Sequence, residues 1–220
     1  MCKIFIFEGP DYSGKTTLIS NLYKHFKSTG KRVAMLKEPD GEIRKMLLDK
    51  NGNLPFAARR FLYAADHMET LDTIYGIKNK YDFIFIDRTA VISDMIYSEF
   101  ESNNKELSMK MSNTLKSQFK IIDNLQYDDY FRKNSTLVLL NLSKQELMAR
   151  MSARAINNND IFDIKSNDFK IKIWEKYKNL IEDVRKDYLI DILFMFKRVC
   201  IAEVDDNLVN NVIRLIEGEE

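Results

Sequence analysis

The sequence predicts an α/β fold in which helices cover both faces of a parallel sheet. Short, continuously apolar runs, typical of strands buried on both faces, alternate along the chain with longer segments of helical spacing. That alternation indicates crossover connections and a three-layer α/β/α arrangement. We find no repeat, low-complexity tract or linker within the 220 residues, so we expect residues 1–220 to form a single domain.

The predicted strands are Lys3–Glu8, Val33–Lys37, Tyr81–Asp87, Thr136–Leu142 and Val199–Val204. The predicted helices have apolar residues at helical spacing, and several begin or end at turn or capping residues. They are Lys15–Thr29, Glu42–Asp49, Phe56–Ile77, 89–100, about 105–132, Ser143 to about Arg154, Phe169–Tyr188 and Leu208–Ile216. Ala155–Asn167 is polar and predicted to be a loop, and Leu189–Phe196 fits either a helix or a strand.

The composition limits which classes of partner and which cellular compartment we expect for the protein. Lys and Arg total 34 and Asp and Glu total 33, which argues against a polyanion-binding surface, so we expect no nucleic-acid partner. The two cysteines, Cys2 and Cys200, have no metal-ligand spacing, and a reducing cytoplasm is the simplest location. No apolar run approaches the length of a membrane span, so we expect no membrane partner.

Residues 9–17, GPDYSGKTT, fit the phosphate-binding pattern G-x-x-x-x-G-K-[ST]. Gly9 and Gly14 let the backbone curl so that its N–H groups face one anion, and the following helix directs its positive end there. Lys15 would reach the β- and γ-phosphates, and the Thr16 hydroxyl would bind Mg²⁺. A predicted strand before and a helix after complete the setting of a P-loop NTPase-type site, formed by Gly9, Pro10, Asp11, Tyr12, Ser13, Gly14, Lys15, Thr16 and Thr17.

Polar residues follow two further predicted strands at their carboxyl ends, where ligands bind in parallel sheets. They are Lys37-Glu38 and Asp87-Arg88, and we expect them to meet the phosphate loop in one crevice. Asp87 could hold Mg²⁺ or its water shell beside Thr16, and Arg88 could bind a second phosphate with two hydrogen bonds. The alternative is that Asp87 and Arg88 form a plain surface ion pair.

Two pairs of residues lie four positions apart on predicted helices and therefore share a helix face. Arg150 and Arg154, just before the polar loop, suit a lid that closes on a transferring phosphate, although a solvated basic helix end is the alternative. Tyr63 could stack on a base and His67 could hydrogen-bond its edge. From the residues alone we favour the other interpretation, in which Tyr63 belongs to the core and His67 lies at the surface.

Taken in order, these motifs resemble the thymidylate kinase family of nucleoside monophosphate kinases. Residues 7–17 resemble the family's F-E-G-x-D-x-x-G-K-[ST]-T, and residues 37–39 resemble its R-E-P element, with Lys37 in place of the arginine. Residues 41–44, GEIR, are similar to the segment that follows that element. Residues 63–67, YAADH, match the helix that carries the family's base-stacking aromatic residue.

The later motifs keep the family's order. Asp87-Arg88 matches its D-R-[YWF] element, and Ser93 with Tyr97 matches the downstream S-x-x-x-Y. The segment from Arg150 to Arg154, followed by DIFD at 160–163, resembles the family's lid with its D-R-[FI]-E signature. The resemblance covers most of the chain and is weakest over residues 100–135 and 185–198.

The resemblance implies a five-stranded parallel sheet, a short lid over about residues 152–168, ATP as donor, Mg²⁺ and a homodimer. The implied reaction converts ATP and a deoxynucleoside 5′-monophosphate to ADP and the diphosphate. Metal binding would fall to Thr16 and Asp87. The resemblance implies that Tyr63 stacks on the base, and this reverses the assignment of Tyr63 to the core that we favour from the residues alone. The implied substrate-binding residues are Asp11, Lys37, Glu38, Tyr63, His67, Arg88 and Tyr97, and the implied catalytic residues are Lys15, Arg88, Arg150 and Arg154.

Several positions depart from the family pattern. The family usually has an arginine where His67 stands, and some members have a catalytic arginine where Tyr12 stands. Ile161 replaces the lid arginine, Thr89 replaces the aromatic residue after D-R, and Ser98 replaces a frequent glutamine. Most of these changes fall on base and sugar recognition. Our hypothesis is that phosphoryl transfer is retained while the base preference has moved toward a 5-modified or non-thymine pyrimidine.

Two other functions fit parts of the sequence. A deoxynucleoside kinase would phosphorylate the 5′-hydroxyl and would need a carboxylate base near the sugar, for which Glu38 or Asp94 could serve. A nucleotide-binding module that has lost turnover would explain the changed substrate-side residues. The intact Gly14-Lys15-Thr16 opposes this second alternative.

Overall fold

A sheet of five parallel strands forms the centre of the protein. The structure is a computed structural model that describes residues 1–48, 54–101, 126–153, 166–186 and 195–218. The strands are β1 (Lys3–Glu8), β2 (Val33–Lys37), β3 (Phe83–Asp87), β4 (Ser135–Asn141) and β5 (Arg198–Glu203). Their order, β2-β3-β1-β4-β5, confirms the predicted five-stranded parallel sheet and puts β1 in the middle.

Eight helices are described: α1 (Lys15–Ser28), α2 (Gly41–Leu48), α3 (Phe56–Ile77), α4 (Ala90–Glu101), α5 (Gln126–Asn134), α6 (Lys144–Ala153), α7 (Asn167–Arg185) and α8 (Leu208–Glu217). Most bounds agree with the prediction to within two residues. Of the helix predicted over about 105–132, only the part from Gln126 lies within the described residues. Most of the predicted loop at 155–167 and of the ambiguous segment at 189–196 lies outside them. None of the described helices has the length and apolarity that crossing a membrane requires.

The sheet separates two apolar cores because successive side chains of a strand point to opposite faces. On one face, Ile4 and Ile6 of β1 pack in a cluster with residues of α3, α4 and α7. On the other face, Phe5 and Phe7 pack with residues of α1 and α8. The rings of Phe7 and Phe85 meet edge to face with their centroids 5.8 Å apart. Helices on both faces confirm the predicted three-layer arrangement.

The register of the central strands brings their carboxyl ends to one level. Phe7 of β1 and Lys37 of β2 both pair with Asp87 of β3. The residues that follow these strands therefore start from the same edge of the sheet. This alignment places the phosphate loop beside the Glu38-Pro39 turn and Arg88.

Helix α7 is anchored to the carboxyl end of β4. The indole N–H of Trp174, the single tryptophan of the chain, donates to the Leu142 carbonyl at 2.7 Å, and the Lys178 ammonium donates to Asn141 Oδ1 at 2.8 Å. One turn after Trp174, the ring of Tyr177 is buried with 1% of its surface exposed. These contacts fix α7 across the face of the sheet at the level of the strand ends.

Candidate active site

A cavity of about 520 Å³ lies beyond the carboxyl ends of β1, β2 and β3. Its position confirms that Lys37, Asp87 and Arg88 meet the phosphate loop in one crevice, whereas Glu38 does not line the cavity. The predicted site residues that line it are Asp11, Tyr12, Gly14, Lys15, Thr16, Thr17, Lys37, Tyr63, Asp87, Arg88, Tyr97 and Arg150. Pro39, Arg44, Ser93 and Ala153 line it as well.

The phosphate loop curls around the Lys15 side chain, which is only 6% exposed. Its ammonium donates to the carbonyls of Gly9 at 2.8 Å and Pro10 at 2.9 Å. Gly14 has a φ of 84°, in the left-handed region that glycine adopts without steric cost. At Gly9 an added Cβ would lie 3.0 Å from Leu140 Cβ, so the loop and β4 approach too closely for a side chain there. Burial, followed by the positive charge of Arg88, lowers the pKa of Lys15 to about 8.

Thr16 and Asp87 form an oxygen pair at the mouth of the loop. The Thr16 hydroxyl donates to Asp87 Oδ2 at 2.8 Å. Among the described residues, no group of three His, Cys, Asp or Glu side chains could hold a metal ion. Mg²⁺ in nucleotide sites needs only one or two protein oxygens, because phosphates and waters complete its octahedron. The pair therefore fits Mg²⁺ bound together with a nucleotide.

Arg88 follows β3 with a φ of 76°, which is uncommon for a residue with a side chain. Its guanidinium forms an ion pair with Asp11 and donates to the Tyr177 hydroxyl at 3.2 Å. Glu8 Oε2 lies 3.9 Å from Arg88 Nη1. Glu8 itself is fully buried, and burial raises its pKa. Sequence reasoning missed Glu8 and Tyr177; a charged residue at the end of an apolar strand was the available signal for Glu8.

Glu38 and His67 lie behind the cavity wall and are not among the residues that line it. They are 1% and 4% exposed, and His67 Nδ1 lies 3.1 Å from each Glu38 carboxylate oxygen. The Ala90 N–H donates to Glu38 Oε2 at 2.6 Å, and the His67 ring meets Phe131 edge to face at 5.9 Å. The structure thus pairs His67 with Glu38, and its contact with a base stays a prediction.

Arg44 lines the cavity from α2, although only its match to the GEIR segment indicated it in the sequence. The turn before α2 is held by Asp66 of α3, whose Oδ1 accepts the Asp40 N–H at 2.9 Å. Asp66 is 3% exposed, and burial raises its pKa to about 6.

On the neighbouring helix α4, Tyr97 lines the cavity with 6% of its surface exposed, and burial raises its pKa.

Arg150 reaches the cavity from α6. Its Nη1 donates to the Tyr12 carbonyl at 3.0 Å, and its Nε donates to Glu146 at 2.7 Å. Tyr12 has a φ of 67°, so Arg150 binds the loop at a backbone position that is rare for a tyrosine. Other predicted positions lie outside the described part of the chain: Arg154, Ile161, most of the lid at 152–168, and the side chains of Asp94 and Ser98.

Comparison with known proteins agrees with this geometry. A family model described as "Thymidylate kinase" matches residues 7–193. A thymidylate kinase of Caldicellulosiruptor saccharolyticus is 24% identical over 189 residues, which cover 84% of this chain and 85% of that protein. One of Mycoplasmopsis pulmonis is 26% identical and covers 99% of this chain and 89% of its own length. One of Acinetobacter baylyi is 32% identical over 51% of this chain and 58% of that protein. The chain belongs to the thymidylate kinase family.

Proposed function

We propose that the protein transfers the γ-phosphoryl group of ATP to the 5′-phosphate of dTMP or a related pyrimidine deoxynucleoside monophosphate. One observation carries the proposal: the phosphate loop with Lys15 and the strand-end residue Arg88 line the same cavity. Donor and acceptor phosphates can then be held next to each other in one space. Membership of the thymidylate kinase family supports the same reaction.

On the donor side, the backbone N–H groups of residues 9–17 would bind the ATP phosphates. The Lys15 ammonium would exchange the Gly9 and Pro10 carbonyls for phosphate oxygens. Thr16 and Asp87 would hold Mg²⁺, which would neutralise negative charge on the ATP phosphates. Arg150 would add positive charge at the transition state together with Arg154, and the lid over about residues 152–168 would exclude water.

On the acceptor side, three cationic side chains line the cavity: Lys37, Arg44 and Arg88. Arg88 would bind the acceptor phosphate with a planar pair of N–H groups. Tyr63, which also lines the cavity, would stack on the base, and Asp11 would contact the sugar. The attacking phosphate oxygen is already anionic, so the transfer requires positioning and charge neutralisation rather than a general base.

The surroundings of Glu38 argue against phosphorylation of a nucleoside hydroxyl. That reaction needs a carboxylate within hydrogen-bonding reach of the sugar. Glu38 is 1% exposed and already accepts hydrogen bonds from the Ala90 N–H and from His67. Membership of the thymidylate kinase family likewise does not favour a nucleoside kinase or a nucleotide-binding module without turnover.

We also propose that the base preference differs from that of family members with an arginine at position 67. His67 is shorter than arginine and is directed at Glu38, so a direct contact with the base edge would be weakened. The preferred acceptor would then be a 5-modified or non-thymine pyrimidine monophosphate. This second proposal fails if the protein phosphorylates dTMP far better than dUMP, 5-hydroxymethyl-dUMP and dCMP.

One assay tests both proposals: ADP release from ATP and Mg²⁺ with a panel of deoxynucleoside monophosphates and their parent nucleosides. We expect turnover with a pyrimidine monophosphate and none with the nucleosides. Lys15→Ala is the control, because it removes a donor-phosphate contact and should abolish turnover. Turnover with nucleosides alone would select the nucleoside kinase, and ATP binding without turnover would select the binding module.

The protein is further proposed to act as a cytoplasmic, single-domain homodimer. Both described cysteines are free thiols, as suits a reducing compartment. Phe61 and Tyr75 of α3 are 48% and 37% exposed, and Met46 of α2 is 53% exposed, which gives these helices apolar surface for a second copy. Sedimentation equilibrium should give twice the mass of the chain, and a monomer at micromolar concentration would contradict the dimer.

A further inference from the structure

Tyr177 places its hydroxyl between a buried carboxylate and the cavity arginine. The ring lies on α7 and is 1% exposed. The hydroxyl is 2.9 Å from Glu8 Oε2 and 3.2 Å from Arg88 Nη1. It donates its one proton to the carboxylate and accepts an N–H from the guanidinium. This single oxygen therefore joins an anion and a cation. Glu8 lies 169 residues and Arg88 lies 89 residues before Tyr177 in the sequence.

Glu8 is held on its other side by the backbone. The Thr89 N–H donates to Glu8 Oε1 at 2.7 Å, and Glu8 is fully buried. Both carboxylate oxygens thus have a fixed donor, and a buried, fully bonded carboxylate has little freedom to move. Glu8 Oε2 and Arg88 Nη1 stay 3.9 Å apart, which is too long for the direct hydrogen bond that an arginine and a carboxylate normally form.

Arg88 is attached from the cavity side as well. It forms an ion pair with Asp11 and lies 3.4 Å from the Gly9 carbonyl. A guanidinium has five N–H groups, so these contacts and the Tyr177 hydroxyl leave donors for a phosphate. Where those donors point depends on how far the guanidinium is drawn toward Glu8.

We propose that Tyr177 is a positioning residue that keeps Arg88 from closing onto Glu8 and so keeps its guanidinium available to the acceptor phosphate. The inference rests on the proposed function, in which Arg88 binds that phosphate. Without the hydroxyl, Glu8 Oε2 lacks its donor, and the nearest cation, Arg88, replaces it. The direct ion pair then stabilises the protein and competes with the acceptor.

The test is Tyr177→Phe, which removes one oxygen and keeps the ring. We expect the KM and the calorimetric Kd for the monophosphate to rise about tenfold, since a hydrogen bond that orients a charged group is lost. The KM for ATP should stay within about twofold, and the Tm should not fall, because the ion pair with Glu8 compensates. Tyr130→Phe is the matched control: its hydroxyl donates to the Cys2 carbonyl at 3.1 Å, far from the cavity, and both KM values should be unchanged.

A second variant separates positioning from packing. In Glu8→Gln/Tyr177→Phe the carboxylate charge that draws Arg88 away is gone, so acceptor affinity should recover relative to Tyr177→Phe. A Tyr177→Phe protein with unchanged acceptor affinity overturns the proposal. So does one that loses ATP affinity and acceptor affinity together, because this marks a structural role. A wild-type protein that phosphorylates no monophosphate contradicts the proposed function itself, whereas an active wild type with an unaffected variant contradicts only the role of Tyr177.

Discussion

The buried ammonium of Lys15 should make the stability of the nucleotide-free protein depend on pH. Burial and the charge of Arg88 lower its pKa from 10.5 to about 8, so the folded protein binds this proton less tightly than the unfolded chain does. The charge of Lys15 therefore destabilises the fold fully below about pH 8, and the penalty disappears as the pH rises toward 10.5. The difference in pKa corresponds to about 3 kcal/mol of unfolding free energy.

The perturbation that isolates this effect is Lys15→Met, which keeps the length of the side chain and removes the charge. Between about pH 7 and about pH 9.5, the wild-type protein should gain about 2 kcal/mol of unfolding free energy relative to the variant. Urea denaturation at a series of pH values measures this difference. Lys24→Met, at an exposed position of the same helix, is the control for the loss of a lysine charge that is not buried.

A constant difference between wild type and Lys15→Met across this range would refute the reasoning, because the pKa of Lys15 would then not be lowered in the fold. A wild type that loses stability relative to Lys15→Met as the pH rises would refute its sign. ATP provides an independent check. At about pH 7 it should raise the denaturation midpoint of the wild type and not that of the variant, since ligand binding stabilises only a protein that binds it.

Three further predictions concern the polar side chains around the cavity. His67→Leu should lower the unfolding free energy by about 3 kcal/mol, because the buried Glu38 loses the imidazole 3.1 Å away; an unchanged midpoint in urea would contradict this. Burial raises the pKa of Asp66 from 3.8 to about 6, so the wild type should lose stability relative to Asp66→Asn as the pH rises through that interval, and parallel pH profiles would disprove it. Arg150→Ala should lower kcat about 100-fold with both KM values nearly unchanged, whereas a raised KM at constant kcat in steady-state assays would identify ground-state binding.

The strands and their parallel pairing were predictable from the sequence. An apolar run is a local property of the sequence, and parallel pairing follows from the alternation of strands with helices. The run Phe83–Ile86 is continuously apolar, and its polar end at Asp87 faces the loop because all five strands point the same way. The start of α7 was less predictable. The Asn-rich stretch before it was assigned to a loop up to Asn167, but the Ser166 hydroxyl accepts the Phe169 N–H at 3.2 Å and begins the helix there.

The candidate site also has a part that was predictable from the local sequence and a part that was not. Residues 9–17 form a motif that reads directly from the sequence, and the structure gathers most of them around one cavity. The pairing of His67 with Glu38 and of Tyr177 with Glu8 joins residues 29 and 169 positions apart. Periodicity indicates which face of a helix is buried, but it does not indicate which polar group that face will meet. Nothing in the sequence therefore singles out Tyr177.

The single tryptophan gives the protein an optical reporter. Trp174 is bonded to the strand end at Leu142, and it lies on the helix whose Tyr177 contacts Arg88. With light that tyrosine does not absorb, emission from the whole chain arises from this one indole. The wavelength of that emission depends on the polarity around the ring and on the hydrogen bond of its N–H. A stopped-flow trace of the unlabelled protein therefore records events around Trp174, one substrate at a time, without a dye or an added probe.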